Sequence, residues 1–141
     1  NRISEQLPNA LSMMANSVLV GHTADSAIKL TAEVSPKPIC DEFNTIHKEM
    51  AFGASFVEAL RNLQERMPTT EVRIMVTALS IQQKTGGNLA EILQNLERMI
   101  RDYAAVRREA KAMTAYYRYF YPYPQNTFTS AWFDQSISRV Q

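Results

Sequence analysis

Residues 83–93, Gln83-Lys84-Thr85-Gly86-Gly87-Asn88-Leu89-Ala90-Glu91-Ile92-Leu93, decide the fold of this chain. Glycine adopts the left-handed conformation that ends a helix without a Cβ clash, and either Gly86 or Gly87 can do so here. Asn88 is a favoured N-cap, and Glu91 follows three residues later, where its carboxylate meets the positive end of a helix. The stretch therefore predicts one helix that ends and another that begins with almost no loop between them.

The same glycine-plus-cap pattern occurs twice earlier in the chain, and each time an apolar pair follows at the same offset. Ser55 and Glu58 have the spacing of a full capping box. Corners this short make consecutive helices fold back on each other as neighbours, which favours a structural role over ligand binding. The helix-hinge residues are Gly21, Thr23, Gly53, Ser55, Gly86, Gly87 and Asn88.

Hydrophobic periodicity predicts six helices, so the fold class is all-α with a long C-terminal helix. The apolar residues of the fifth helix run nearly all round it, and we expect this helix to be central and the most buried. The sixth is expected to be about 40 Å long, which is more than a small bundle requires. The predicted ranges are residues 8–20, 23–34, 38–52, 56–66, 71–84 and 89–115.

Composition is that of an ordinary globular domain. Apolar residues make up 45% and charged residues 21% of 141 residues, enough for one domain with a core. The net charge of +1 argues against nucleic-acid binding, and the single Cys40 fits a reducing compartment. No apolar run approaches the roughly 20 residues of a membrane span. The sequence has neither a secretory signal nor an initiator Met, which suggests a processed product or a piece of a longer protein.

The sequence changes character at Tyr116. Residues 116–124 are dense in aromatics, and Pro122 and Pro124 exclude a continuous helix. A membrane-interface anchor, a stacking platform for bases and an appended foreign tail are three interpretations, and the missing helical periodicity favours the last. We therefore divide the chain into a helical domain, residues 1–115, and an aromatic and polar tail, residues 116–141.

No set of residues suggests catalysis. The lysine that a phosphate loop requires after Gly86-Gly87 is absent. Cys40 and His47 are seven residues apart on the third helix, but two ligands do not form a zinc site, and no third group would orient them for nucleophilic attack. We predict no enzymatic activity, no cofactor and no metal site.

Residues 6–11, 53–60 and 83–93 carry a resemblance to a known family. In this order and spacing they resemble the cytoplasmic domain of type II secretion system F proteins, the T2SSF domain. Residues 85–89 together with residues 106–115 resemble more narrowly the TadB branch, the platform proteins of Flp (tight adherence) pili. The resemblance covers about residues 5–115 and does not reach the tail.

This resemblance implies a six-helix antiparallel bundle at the cytoplasmic face of the bacterial inner membrane, in a multi-pass protein whose spans flank the domain. It implies a platform protein, itself no enzyme, that couples a pilus assembly ATPase to pilin extraction and polymerisation. The implied partners are that ATPase, a second platform subunit or a second copy in a homo-oligomer, the pilin, and the membrane through the flanking segments. Nucleic acid is not among them. Helix six would then lead toward the membrane, where its arginines fit the positive-inside bias.

A platform protein needs exposed contact surfaces, and exposed charges are the candidates. One group lies near the corner between helices four and five, and the other is the basic end of helix six. The alternative for each residue is a solvated charge that contributes no binding energy. The candidate contacts are Arg61, Arg66, Arg73, Arg101, Arg107, Arg108 and Lys111.

Two other functions stay open. The platform protein of a type II secretion or type IV pilus system would carry two such domains in the whole gene. A helical DNA-binding regulator also uses short helices and tight turns. The balance of acidic and basic residues over residues 1–115 argues against the regulator.

Overall fold

The computed structural model describes residues 2–120 and 135–140, and the regular secondary structure of these residues is helical, with no strand among them. Residues 135–140 form a short helix of their own. The predicted all-α fold with a long C-terminal helix is confirmed. The chain divides into two compact units, Asn1–Ile100 and Arg101–Gln141. The six main helices are α1 (Arg2–Leu19), α2 (Ala24–Val34), α3 (Ile39–Ala51), α4 (Phe56–Arg66), α5 (Thr70–Thr85) and α6 (Leu89–Phe120).

The first unit is built around one apolar core to which all six helices contribute. Removal of this apolar surface from water is the main force that holds the helices together. Each helix supplies at least one large side chain with almost no exposed surface, for example Leu11, Ile28, Phe43, Leu63, Leu79 and Leu96.

Two of the glycine corners have the same geometry. Gly21 and Gly53 both have φ of +106°, a value that side chains with a Cβ rarely adopt. Each corner closes with the pair of backbone bonds of a Schellman motif. At the first, Gly21 N–H donates to Val18 at 3.0 Å and His22 N–H to Ser17 at 3.1 Å; the second repeats both bonds between residues 49–50 and 53–54. The third differs, because Gly86 has φ of +71° and donates to Gln82 at 2.8 Å.

Each corner is followed by a side chain that caps the next helix. Thr23 accepts from the backbone N–H of Ser26 at 3.2 Å. Ser55 and Glu58 form both bonds of a capping box, and Asn88 Oδ1 accepts from the N–H of Glu91 at 3.2 Å. These bonds satisfy N–H groups that have no partner inside the helix, so each new helix begins at a defined residue.

Equivalent positions recur around the three corners, each of which connects two successive helices, and we call the connected pairs α1–α2, α3–α4 and α5–α6 hairpins. A buried residue lies seven positions before each corner glycine, and another lies five positions after each cap. The first set is Met14, Ile46 and Leu79, and the second is Ile28, Leu60 and Leu93.

Three predictions about the helices are wrong. α1 begins at Arg2 rather than near Pro8, which is buried inside the helix. A proline there costs a hydrogen bond, but the burial of Ile3 and Leu7 anchors the turns before it. α5 is not the most buried helix, because it contributes six buried residues against eight from α1. It packs against α4 and α1, and the face that carries Ile81 meets solvent with 56% of that residue exposed.

The third wrong prediction is the end of the sixth helix. α6 continues to Phe120 instead of stopping at residue 115, because no glycine or proline occurs between Leu89 and Pro122. The division into domains at residue 115 stays a prediction. Residues 121–134 of the expected tail lie outside the described residues.

Candidate interaction surfaces

The glycine corners lie together at one end of the first unit. His47, near the end of α3, contacts Asp25, in the first turn of α2, with 2.8 Å between Nδ1 and Oδ1. The first and second corners are therefore neighbours. The third corner lies near the other two, because core residues one to two helical turns from each corner contact one another. There Met14, Ile28, Ile46, Leu60 and Leu79, among others, line an apolar cavity of about 10 Å³. A cavity of this size and character does not hold a ligand.

Apolar side chains project into solvent at this corner end. Val20 and Phe52 each precede a corner glycine, and they are 77% and 92% exposed. The sequence analysis did not identify either residue as a surface feature. The signal was present, since Val20 and Phe52 stand outside the three- and four-residue spacing of the core residues in α1 and α3.

The opposite end of the first unit holds the links between hairpins. Gln6 in α1 donates to the carbonyl of Lys37 at 2.8 Å and accepts from the N–H of Ile39 at 3.1 Å. Arg66, at the end of α4, contacts Glu42 in the first turn of α3 with 2.9 Å between Nη2 and Oε2. The α4–α5 corner therefore lies at the end away from the glycine corners.

Arg66 is a candidate contact that forms ion pairs within the first unit. Besides Glu42, it approaches Glu49 with 3.4 Å between Nη1 and Oε1. Its guanidinium thus joins α4 to α3 instead of pointing freely into solvent. Arg61 and Arg73 are exposed on the surfaces of α4 and α5. Of the three arginines that the sequence analysis grouped at this corner, Arg66 is thus the one that forms ion pairs with described residues.

The second unit carries the other candidates. Arg101, Arg108 and Lys111 are exposed on α6, and Arg107 is partly exposed. The guanidinium of Arg107 lies 5.8 Å from the ring centre of Tyr103, a cation–π distance. The Tyr103 hydroxyl donates to the carbonyl of Val140 at 3.2 Å, which joins the short helix 135–140 to α6.

Cys40 and His47 do not come together. The Cys40 thiol lies 3.7 Å from Asp41 Oδ1, whereas His47 pairs with Asp25 across the α2–α3 interface. In residues 2–120 and 135–140, no group of three or more His, Cys, Asp or Glu side chains could hold a metal ion. No described helix combines the length and hydropathy that crossing a bilayer requires.

The sequence analysis did not identify one carboxylate that the structure buries. Glu71 lies in the first turn of α5 and is almost completely buried. The positive end of the helix favours a carboxylate at this position. Its place in the first turn identifies it as part of the helix start, where an acidic residue stabilises α5.

The comparisons with known proteins give one match. The family model described as type II secretion system (T2SS), protein F, matches residues 10–121. The match begins within α1, includes all three glycine corners and ends just after α6. No curated protein and no solved structure matches this chain.

Proposed function

Because this chain belongs to the type II secretion system protein F family, we propose that it is the cytoplasmic domain of a bacterial platform protein for Flp or type IV-like pilus assembly. The family match over residues 10–121 carries the proposal. Proteins of this family are non-catalytic platform components of secretion and pilus systems, work with secretion ATPases, and typically place this domain on the cytoplasmic side of the inner membrane. The Flp assignment goes further and rests on the resemblance of residues 85–89 and 106–115 to the TadB branch.

A platform that passes force from an ATPase to a pilin must be a stiff body. The first unit fits this role, because three-residue and four-residue corners leave little freedom between consecutive helices. The Schellman bonds at Gly21 and Gly53 and the caps at Thr23, Ser55 and Asn88 hold those corners. In this proposal the first unit transmits motion as one piece and contributes no chemistry.

Arg61 and Arg73 are the proposed contacts for the assembly ATPase in the first unit. Both are exposed on the helices that flank the α4–α5 corner, whereas Arg66 is held by Glu42 and Glu49. Charged residues at the rim of an interface chiefly raise the association rate with an oppositely charged surface. We assign Arg66 to the internal joint between α3 and α4.

The arginines and lysine of the second unit have a different proposed role. Arg101, Arg107, Arg108 and Lys111 would lie on the cytoplasmic approach to a membrane span that follows α6 in the whole protein. Basic residues concentrate at this side of inner-membrane proteins, where they also meet anionic lipid headgroups.

The ATPase contact is tested with the full-length protein in membranes and the purified assembly ATPase encoded with it. The double variant Arg61→Glu, Arg73→Glu should bind the ATPase roughly tenfold more weakly, equal to about 1.4 kcal/mol. Lys29→Glu, an exposed charge reversal on α2, is the matched control and should bind normally. If both variants bind like the unaltered protein, Arg61 and Arg73 are not ATPase contacts.

The platform assignment itself has a separate test in the gene. Hydrophobic spans on both sides of this sequence, and one T2SSF domain in the reading frame, are expected for a TadB-like protein. Two such domains would favour the second candidate, the platform protein of a type II secretion or type IV pilus system, which the family match supports equally. A reading frame without any hydrophobic span would overturn both.

A further inference from the structure

An apolar stripe runs along the part of α6 that belongs to the second unit. We call Tyr103, Val106, Ala110, Met113, Tyr117 and Phe120 the distal stripe. They are spaced alternately by three and four residues, the repeat by which paired helices meet in a coiled coil. None of them is buried, and Val106, Met113 and Phe120 are 55%, 68% and 57% exposed.

The distal stripe continues one of the two seven-residue series of the core face of α6 and leaves the other. The buried residues Leu93 and Ile100 are seven apart, and the next residues in that series are Arg107 and Thr114. Tyr103, Ala110 and Tyr117 instead follow the buried Leu96 in steps of seven residues. Val106, Met113 and Phe120 form a series one position before Arg107, about 100° round the helix. A sequence that only had to extend the helix into solvent would not need apolar residues along both of these series.

Charges beside the distal stripe distinguish between possible partners. Asp102 and Glu109 each precede a stripe residue and lie along one edge, and Arg107 lies along the other. In a parallel, in-register pair of α6 helices, the position of Asp102 meets that of Arg107 in the other copy, five residues later. In an antiparallel pair each edge meets itself, which sets the acidic positions against each other. The charges therefore favour a second, parallel α6.

We propose that the distal stripe is the interface between two copies of this chain, which pair through α6 in parallel and in register. The proposal rests on the proposed function, since two copies in one bilayer point the same way and meet as parallel helices. The chain's own helix 135–140 is a competing occupant, because Tyr103 contacts Val140. That contact is at one end of the distal stripe, and residues from Met113 to Phe120 that belong to it remain exposed beside it.

Disulfide cross-linking of the full-length protein in membranes tests the proposal. Cys40→Ser removes the natural thiol, and single cysteines are introduced as Val106→Cys or Met113→Cys. In a parallel, in-register pair each introduced cysteine faces itself, so both variants should form a covalent dimer under mild oxidation. Arg108→Cys, on the side of α6 away from the distal stripe, is the matched control and should lack the dimer band.

The outcomes separate the alternatives. In an antiparallel pair at most one of the two positions can face itself, so dimer formation by only one of them overturns the parallel arrangement. A control band as strong as those of Val106→Cys and Met113→Cys indicates random collision and overturns the interface. The double variant Tyr103→Cys, Val140→Cys tests the competing occupant. A disulfide within the monomer of this variant, together with no dimer from the single variants, would also overturn the interface.

A charge swap provides an independent check. Asp102→Arg should abolish the dimer band of Met113→Cys, and the added change Arg107→Asp should restore it, because only a parallel pair joins these two positions. Loss without restoration would contradict the proposed register. Cross-linking does not depend on ATPase binding. Dimers without ATPase binding would refute the proposed ATPase contact alone. ATPase binding without dimers would refute this interface alone.

Discussion

α4 and α6 occupy equivalent places in their hairpins, yet α4 has 11 residues and α6 has 32. Both follow a capped corner, and both bury a leucine five residues after the cap, Leu60 and Leu93. α4 ends just before Pro68, whereas α6 meets no proline before Pro122. The first twelve residues of α6 thus repeat the cap and buried-leucine spacing of α4, and the rest of α6 has no counterpart in the other hairpins.

Burial follows this division. α6 buries Ala90, Leu93, Leu96 and Ile100, and it buries no described residue after that point. The beginning of α6 is held by packing, as α4 is. The later part relies on its own hydrogen bonds, on side-chain pairs along the helix such as Arg107 with Tyr103, and on whatever covers the distal stripe. Length alone is thus no guide to what stabilises a helix.

The largest expected effect tests the equivalence of α4 and the start of α6. Leu63→Ala and Leu96→Ala occupy matched buried positions and should each lower the free energy of unfolding by about 2–5 kcal/mol through lost burial and a cavity. Val106→Ala, in the exposed part of α6, should change it by less than about 0.5 kcal/mol. Urea denaturation measures all three. If Val106→Ala lowered the free energy of unfolding as much as Leu96→Ala, the two parts of α6 would not differ in what stabilises them.

A second prediction concerns the corners that make the hairpins equivalent. Gly53→Ala should cost about 1–3 kcal/mol, because φ of +106° strains any residue with a Cβ, although nothing lies within 4 Å of the added atom. Gly87→Ala is the control, since Gly87 has no positive φ and its added Cβ would meet Thr85 Oγ1 at an ordinary 3.7 Å. Thermal unfolding should show a loss for the first and little change or a small gain for the second.

The later part of α6 is tested with a helix-breaking change of moderate size. Ala112→Gly should weaken the helix locally by about 1 kcal/mol. Hydrogen exchange should therefore accelerate at amides near residue 112 while those of α4 stay protected. Arg61→Gly in α4 should instead lower the stability of the whole first unit, because α4 unfolds together with the core. Equal and global effects of both changes would remove the distinction between the two helices.

The smallest expected effect concerns the joint between α3 and α4. Arg66→Met keeps the aliphatic stem but removes the contacts with Glu42 and Glu49. Because the pair is partly exposed, we expect a loss of about 0.2–1 kcal/mol that shrinks at high salt. Arg61→Met should have no measurable effect on the free energy of unfolding in urea. A salt-independent loss would indicate that Arg66 acts through packing instead of charge.

Much of this architecture could be predicted from local sequence signals. The spacing of Ser55 and Glu58 indicated a capping box because both bonds form within four residues. The start of α1 was missed, since the penalty of Pro8 is local but its compensation comes from packing against other helices. The same reason hid the exposed side of α5 at Ile81 and the engagement of Arg66 with Glu42 and Glu49.

The sequence by itself determined where helices end and begin at the three glycine corners, because left-handed glycines and capping side chains act over a few neighbouring residues. It also determined that three similar hairpins follow each other, since the glycine-plus-cap pattern and its apolar pair recur. Only the tertiary structure decided which apolar faces are covered, that Val20 and Phe52 project at the corner end, and that Arg66 is bound while Arg61 and Arg73 remain exposed. These outcomes depend on residues far apart in the chain, whose meeting no local pattern specifies.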